Sequence, residues 1–76
     1  MEVNRPAAFA ANLQGYAVEC ITVEDAIAVI RADGVLSDRE VSKPMELDRL
    51  AAVLTRYGHV RFAEALSHRA VRLRAA

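Results

Sequence analysis

Apolar residues recur at helical intervals along most of the chain, and this spacing predicts a small all-α protein. The clearest helix starts at Thr22, which has Asp25 three residues later, an arrangement close to a capping box. Arg31 suits the negative end of the helix dipole, and Asp33-Gly34 predicts the stop. The expected buried face of this helix consists of Val23, Ala26, Ile27 and Ile30, at i, i+3, i+4 and i+7.

The chain before this helix contains one helical segment and one ambiguous segment. Residues 6–14 carry Phe9 and Leu13 at i and i+4, and Gly15 is a stop signal. Residues 16–21 alternate enough for a short extended segment, but they also fit a helix extension or a packed loop. The sequence therefore predicts a first helix and leaves these three alternatives for the residues that follow it.

The residues between 35 and 44 predict a tight connection rather than a continuous helix. Val35 and Leu36 are apolar, so we expect them to fill the core between helices. Ser37 and Glu40 form the S-x-x-E pattern of a capping box, which opens a short helical turn. Pro44 removes a backbone N–H and disfavours the α conformation in the preceding residue, so this turn ends before a new helix begins.

The second half of the chain predicts two longer helices joined as an αα-hairpin. One spans about residues 44–57 and the other about residues 60–74, with Gly58 and His59 at the turn. The seam pattern of an antiparallel helix pair is seen at Leu47, Leu50, Leu54 and Tyr57. The expected core between the two helices consists of Leu47, Leu50, Leu54, Phe62 and Leu66. The whole pattern predicts a small bundle of four to five short helices in a single domain, residues 1–76.

Length and composition narrow the class of protein without naming one. The 76 residues are 54% hydrophobic and 26% charged, which is too apolar for a disordered chain. One cysteine cannot close an internal disulfide, and no apolar run approaches the roughly 20 residues of a membrane span. A domain of this size buries only about 60% of its unfolded surface, and its many alanines each contribute little area. This thin core favours a homodimer or a complex with another protein.

The charges divide the chain into an acidic and a basic part, although the formal net charge is zero. Residues 1–48 contain nine acidic and four basic residues, a net charge of −5, and residues 49–76 contain one acidic and six basic residues, a net charge of +5. The basic last helix suggests a recognition surface for an acidic partner. A solvated face whose cations suit the C-terminal dipole is the competing interpretation. The candidate partner-binding residues are Arg61, His68, Arg69, Arg72 and Arg74.

The sequence lacks the motifs that carry catalysis or bind metals. The segment around Asp33 and Gly34 does not have the alternating carboxylates of a calcium loop, so a helix stop followed by a capping box is the better interpretation. Cys20 has no base beside it and is expected to be a small buried apolar residue. His59 and His68 lack companions at zinc-ligand spacing. We therefore expect no enzymatic activity, no cofactor and no bound metal.

Two helices joined at a glycine also invite comparison with helix-turn-helix DNA-binding proteins. When that pattern is aligned on Gly58, Leu54 occupies the position of a small residue. The positions that need apolar residues are then occupied by His59, Glu64 and Ser67, which is a poor match. The basic last helix nevertheless keeps a DNA-binding transcription factor as the alternative hypothesis.

These features favour a small regulatory module that binds another protein, such as an antiactivator or adaptor of a transcriptional regulator or signalling protein. Duplex DNA is a less favoured partner because the net charge is zero and Glu64 interrupts the basic face. A purely structural dimerisation unit is a third hypothesis. Arginine supplies all but one of the basic residues, which is typical of a GC-rich bacterial coding sequence. The first residues do not resemble a signal peptide, so we expect a cytoplasmic protein with no membrane partner.

Overall fold

The computed structural model describes residues 5–13 and 22–75. In chain order it contains α1 (Arg5–Asn12), α2 (Val23–Asp33), a 3₁₀ turn (Glu40–Ser42), α3 (Pro44–Arg56) and α4 (Val60–Ala75). These two ranges contain no β-strand, and the predicted small all-α bundle ending in an αα-hairpin is confirmed. The alternatives for residues 16–21 and the expected burial of Cys20 concern residues outside the described ranges.

The ends of α2 follow the signals in its sequence. The Thr22 side-chain oxygen accepts a hydrogen bond from the Asp25 N–H at 3.0 Å, which satisfies a donor that the helix N-terminus otherwise leaves unpaired. At the other end, Gly34 adopts the left-handed conformation with φ 79°, and its N–H donates to the Ile30 carbonyl at 3.0 Å. The space around Gly34 would accept a Cβ, so this stop depends on the left-handed backbone rather than on crowding.

The connection between α2 and α3 contains the predicted capping box. The Ser37 N–H donates to the Glu40 carboxylate at 2.8 Å, and the Glu40 N–H donates to the Ser37 hydroxyl at 3.1 Å. The bond from the Ser37 N–H lowers the pKa of Glu40 below its usual value, because it favours the charged carboxylate. Val35 and Leu36, just before the box, are buried as expected. Helix α3 then starts at Pro44, where a missing N–H costs no helical hydrogen bond.

The hairpin of α3 and α4 forms the centre of the core. A Schellman motif ends α3, with the Gly58 N–H donating to the Thr55 carbonyl at 3.0 Å and the His59 N–H donating to the Leu54 carbonyl at 2.9 Å. Gly58 has φ 88°, the left-handed conformation that this motif requires. The chain reverses here and α4 packs along α3. All five predicted core residues are buried: Leu47, Leu50, Leu54, Phe62 and Leu66.

Tyr57 does not belong to this core, which corrects the four-residue seam expected from the spacing. Helix α3 ends at Arg56, and Tyr57 is the capping residue in a non-helical conformation. Its side chain is 42% exposed. A 3-4-3 spacing marks one face only for as long as the helix continues, and here the helix ends before Tyr57.

Helix α1 packs across the hairpin through an aromatic contact and a hydrogen bond. The rings of Phe9 and Phe62 meet edge to face, with centroids 5.8 Å apart. The His59 Nε2 hydrogen-bonds with the Ala10 carbonyl oxygen at 2.8 Å, so the turn of the hairpin is tied to α1. Helix α2 packs mainly against α4. Within the described ranges, α1 and α2 both pack against the hairpin, and the exposed residues of α3 and α4 are the ones available to a partner.

Candidate partner-binding surface

Helix α4 has a packed side and an exposed side, and this division decides which of its basic residues face solvent. Its buried residues are Phe62, Ala63, Ala65, Leu66 and Ala70. At 3.6 residues per turn these five occupy about 160° of the helix circumference. The rest of the circumference is free to present polar side chains, and most of the predicted site residues lie there.

Three of the five predicted site residues share one stripe on this exposed side. Arg61, His68 and Arg72 are all exposed, and at i, i+7 and i+11 they fall within about 40° of one another. We call these three residues the basic stripe. It is about 16 Å long, and Arg72 has no ion-pair partner among the residues that the structure describes. The two guanidinium groups near its ends can each face a carboxylate on a single partner element.

Arg69 lies on the packed side of α4, between Ala65 and Phe62 around the helix. It is half-buried and sits about 60° round the helix from Arg72, toward the core. A half-buried arginine covers apolar neighbours with its aliphatic stem while its guanidinium stays in water. Replacement of Arg69 would therefore change packing as well as charge, and Arg72 is the better position for testing the surface.

Arg74 is engaged inside the protein. Its Nη2 atom lies 2.6 Å from Oδ2 of Asp48 in α3, an ion pair that ties the last turn of α4 to the beginning of α3. Around the helix Arg74 is about 160° from Arg72, so it does not extend the basic stripe. The structure thus brings Arg61, His68 and Arg72 together and separates Arg69 and Arg74 from them.

Exposed apolar side chains are a second feature of the hairpin. In the described ranges the exposed large hydrophobic residues are Met45 (63% exposed), Tyr57 (42%), Val60 (50%) and Val71 (62%), and all four lie on the hairpin. The charge pattern of the sequence does not identify these exposed apolar residues. Val60 and Val71 directly precede Arg61 and Arg72, and this repeated Val-Arg pair is the signal that could have indicated an apolar component beside the basic stripe.

Local ion pairs compensate part of the acidic half of the chain. Asp38 pairs with Arg31 at 3.2 Å, and Glu46 pairs with Arg49 at 3.9 Å. Exposed pairs of this kind contribute about 1 kcal/mol or less to stability. Their main consequence here is electrostatic, because charges compensated by a neighbour attract a partner less than the uncompensated guanidinium of Arg72 does.

Within residues 5–13 and 22–75, no three His, Cys, Asp or Glu side chains are grouped so that they would hold a metal ion. None of the helices in these ranges combines the length and the apolar character that crossing a bilayer requires. Comparisons with protein-family models, curated protein sequences and solved structures found no significant match to this chain.

Proposed function

We propose that this protein is a small regulatory module that binds another protein through the exposed side of helix α4 in its α3–α4 hairpin. The proposal rests on the coincidence of two kinds of exposed residue on one element. The hairpin carries the basic stripe, and it carries all the large apolar side chains that are exposed in the described ranges. Protein recognition surfaces combine apolar contacts with charged groups that orient the partner, and this hairpin offers both.

The proposed role is that of an antiactivator or adaptor, which acts by occupying a surface of a transcriptional regulator or signalling protein. No catalytic step and no cofactor are part of this role. Helix α4 suits it because both of its ends are held: the Schellman turn at Gly58 precedes its N-terminus, and the Arg74–Asp48 pair holds its C-terminus. A helix that is already formed loses less conformational entropy on binding than a segment that must fold first.

Affinity capture from the native cells, with the whole chain as bait, tests this proposal. The informative comparison is between Arg72→Glu and Arg56→Glu, since each replaces an exposed arginine in the last turn of a helix and changes the charge equally. We expect wild type and Arg56→Glu to capture the same partner and Arg72→Glu to lose it. Equal capture by the two variants would contradict the proposal, as would a wild-type bait that captures nothing specific.

Duplex DNA is the competing partner for a basic helix. Duplex DNA presents phosphates to a basic helix but no apolar surface that would cover Val60 and Val71, which are exposed on the same helix. We therefore expect weak binding when random duplex DNA is titrated at about 50 mM and about 200 mM salt. Tight binding that weakens steeply with salt and disappears in Arg72→Glu would show that the partner is DNA rather than a protein.

Self-association is the third possibility, because a small core favours completion by a second chain. Sedimentation equilibrium of wild type and Arg72→Glu shows whether a dimer forms and whether it depends on the basic stripe. A dimer that persists in Arg72→Glu uses another surface and leaves the basic stripe for the regulator. A dimer that is lost in Arg72→Glu would mean that the stripe binds a second copy instead.

A further inference from the structure

The exposed side of α4 repeats one dipeptide at an interval that matches the helix. Val60-Arg61 is followed eleven residues later by Val71-Arg72. Eleven residues make about three full turns, so the two pairs stand on the same side of α4, about 16 Å apart. All four side chains are exposed. The face therefore presents two similar binding positions in line, each with an apolar and a cationic component.

Between the two pairs, the cationic and the apolar components lie on separate lines along α4. His68 lies on the line of the arginines, seven residues after Arg61 and four before Arg72. Glu64 and Ser67 lie on the line of the valines, so that line is apolar only near its two ends. A ligand that makes the same contact at both ends must be long and straight. A compact anion would reach only one of the two positions.

We propose that the partner element is an acidic amphipathic helix that lies along α4 and carries two apolar-acidic pairs at the same eleven-residue interval. The inference rests on the proposed function and specifies the chemistry of the partner. Both helices rise about 1.5 Å per residue, so both pairs meet when the axes are nearly aligned, whereas a steep crossing engages only one. An eleven-residue repeat stays in line because it is close to the natural helical period.

The contacts at each position follow from the side chains. A carboxylate of the partner accepts hydrogen bonds from the guanidinium of Arg61 or Arg72, a geometry in which two parallel bonds form. The neighbouring apolar side chain of the partner covers Val60 or Val71 and removes its surface from water. Duplex DNA offers phosphates to the arginines but no apolar counterpart to the valines at this spacing.

A second copy of this chain does not supply the complementary pattern from its described helices. Helices α1 and α2 have 8 and 11 residues, too few to hold two dipeptides eleven residues apart. Helix α3 has 13 residues, and the dipeptides at its two ends, Pro44-Met45 and Thr55-Arg56, contain no acidic residue. Helix α4 contains a single acidic residue, Glu64, and so cannot hold two acidic pairs. The occupant that fits the described chain is therefore a different protein.

Two synthetic peptides of about 20 residues test the spacing. The matched peptide carries two Leu-Glu pairs eleven residues apart in an alanine- and glutamine-rich helix. The offset peptide has the same composition with the pairs nine residues apart, which turns the second pair about half a turn away from the first. Both carry the same fluorophore, their helicity is checked by circular dichroism, and each is titrated with the whole protein by fluorescence anisotropy.

We expect the matched peptide to bind about tenfold or more tightly than the offset peptide, because only the matched peptide engages both pairs. Arg72→Ala should weaken its binding about tenfold, while Arg56→Ala, the matched exposed arginine on α3, should leave it unchanged. Val71→Ala should weaken it about threefold or more. Alanine is a stronger helix former than valine, so the effect of Val71→Ala cannot come from loss of the helix.

Equal affinity for the two peptides would overturn the inference, and so would no binding of the matched peptide at millimolar concentration. Unchanged affinity in Arg72→Ala would also overturn it, because the peptide would then bind elsewhere. These failures differ from failure of the proposed function. If wild type captures a regulator from cells and Arg72→Glu does not, the proposed function is supported. In that case only the inference that the partner is a helix with an eleven-residue repeat is wrong.

Discussion

Replacement of Leu50 by alanine, compared with the same replacement at Met45, tests the packing of the hairpin. Both residues belong to α3, and each substitution removes three heavy atoms from residues of similar helix propensity. Leu50 is 1% exposed whereas Met45 is 63% exposed. The comparison therefore isolates the effect of burial from that of side-chain size and helix formation.

The expected magnitude at Leu50 follows from the buried atoms. Three carbon groups at about 0.8 kcal/mol each contribute about 2.4 kcal/mol of lost transfer free energy. A cavity that collapses only partly adds up to about 2 kcal/mol. We expect Leu50→Ala to lower the free energy of unfolding by about 2.5–4.5 kcal/mol and Met45→Ala to lower it by less than about 0.5 kcal/mol. A domain of this size has a total stability on the order of 4–11 kcal/mol, so the first change removes a large share.

Urea denaturation followed by far-ultraviolet circular dichroism measures both variants. The midpoint should fall for Leu50→Ala and stay near the wild-type value for Met45→Ala, with the slope unchanged in both. In a thermal melt the loss at Leu50 should lower Tm by about 10 °C or more. Free energies of unfolding that differ by less than about 0.5 kcal/mol between the two variants would refute the burial of Leu50 between α3 and α4.

Three further predictions concern caps and ion pairs. The pKa of Glu40 is lowered in the folded state, so its contribution is present above the unfolded pKa and is lost as the pH falls through the folded value. Glu40→Gln should therefore flatten the fall of Tm below about pH 4.5. Gly34→Ala should cost about 1 kcal/mol in urea denaturation because φ is 79°, and Gly34→Asn should cost less. A double-mutant cycle on Asp48→Ala and Arg74→Ala should give a coupling energy of about 0.2–1 kcal/mol that decreases in high salt.

Each of these predictions has an outcome that contradicts it. If Tm falls equally at low pH in wild type and in Glu40→Gln, the Glu40 carboxylate does not stabilise the folded state through the capping box. A Gly34→Ala variant as stable as wild type would exclude the left-handed helix end. No coupling between Asp48 and Arg74 would leave Arg74 available to a partner.

The ends of the helices are determined by the sequence itself. The Thr22 cap, the Ser37–Glu40 capping box, the start at Pro44 and the stop at Gly34 are all seen where the sequence predicts them. Each depends on a hydrogen bond or a backbone angle within about four residues, so the neighbouring residues contain all the necessary information. The periodic leucines of α3 also predict their own burial, because one face of a long helix must turn to the core.

The composition of the candidate surface was decided only by tertiary packing. Charge identifies α4 as basic, but residues from other helices decide which of its cations are available: Asp48 of α3 holds Arg74, and the packed side of α4 half-buries Arg69. Tyr57 follows the same spacing as the core leucines and is exposed because the chain turns at Gly58. A helical pattern specifies which residues share a side, whereas exposure depends on which elements pack against that side. Those contacts join residues far apart in the chain, and no local signal contains them.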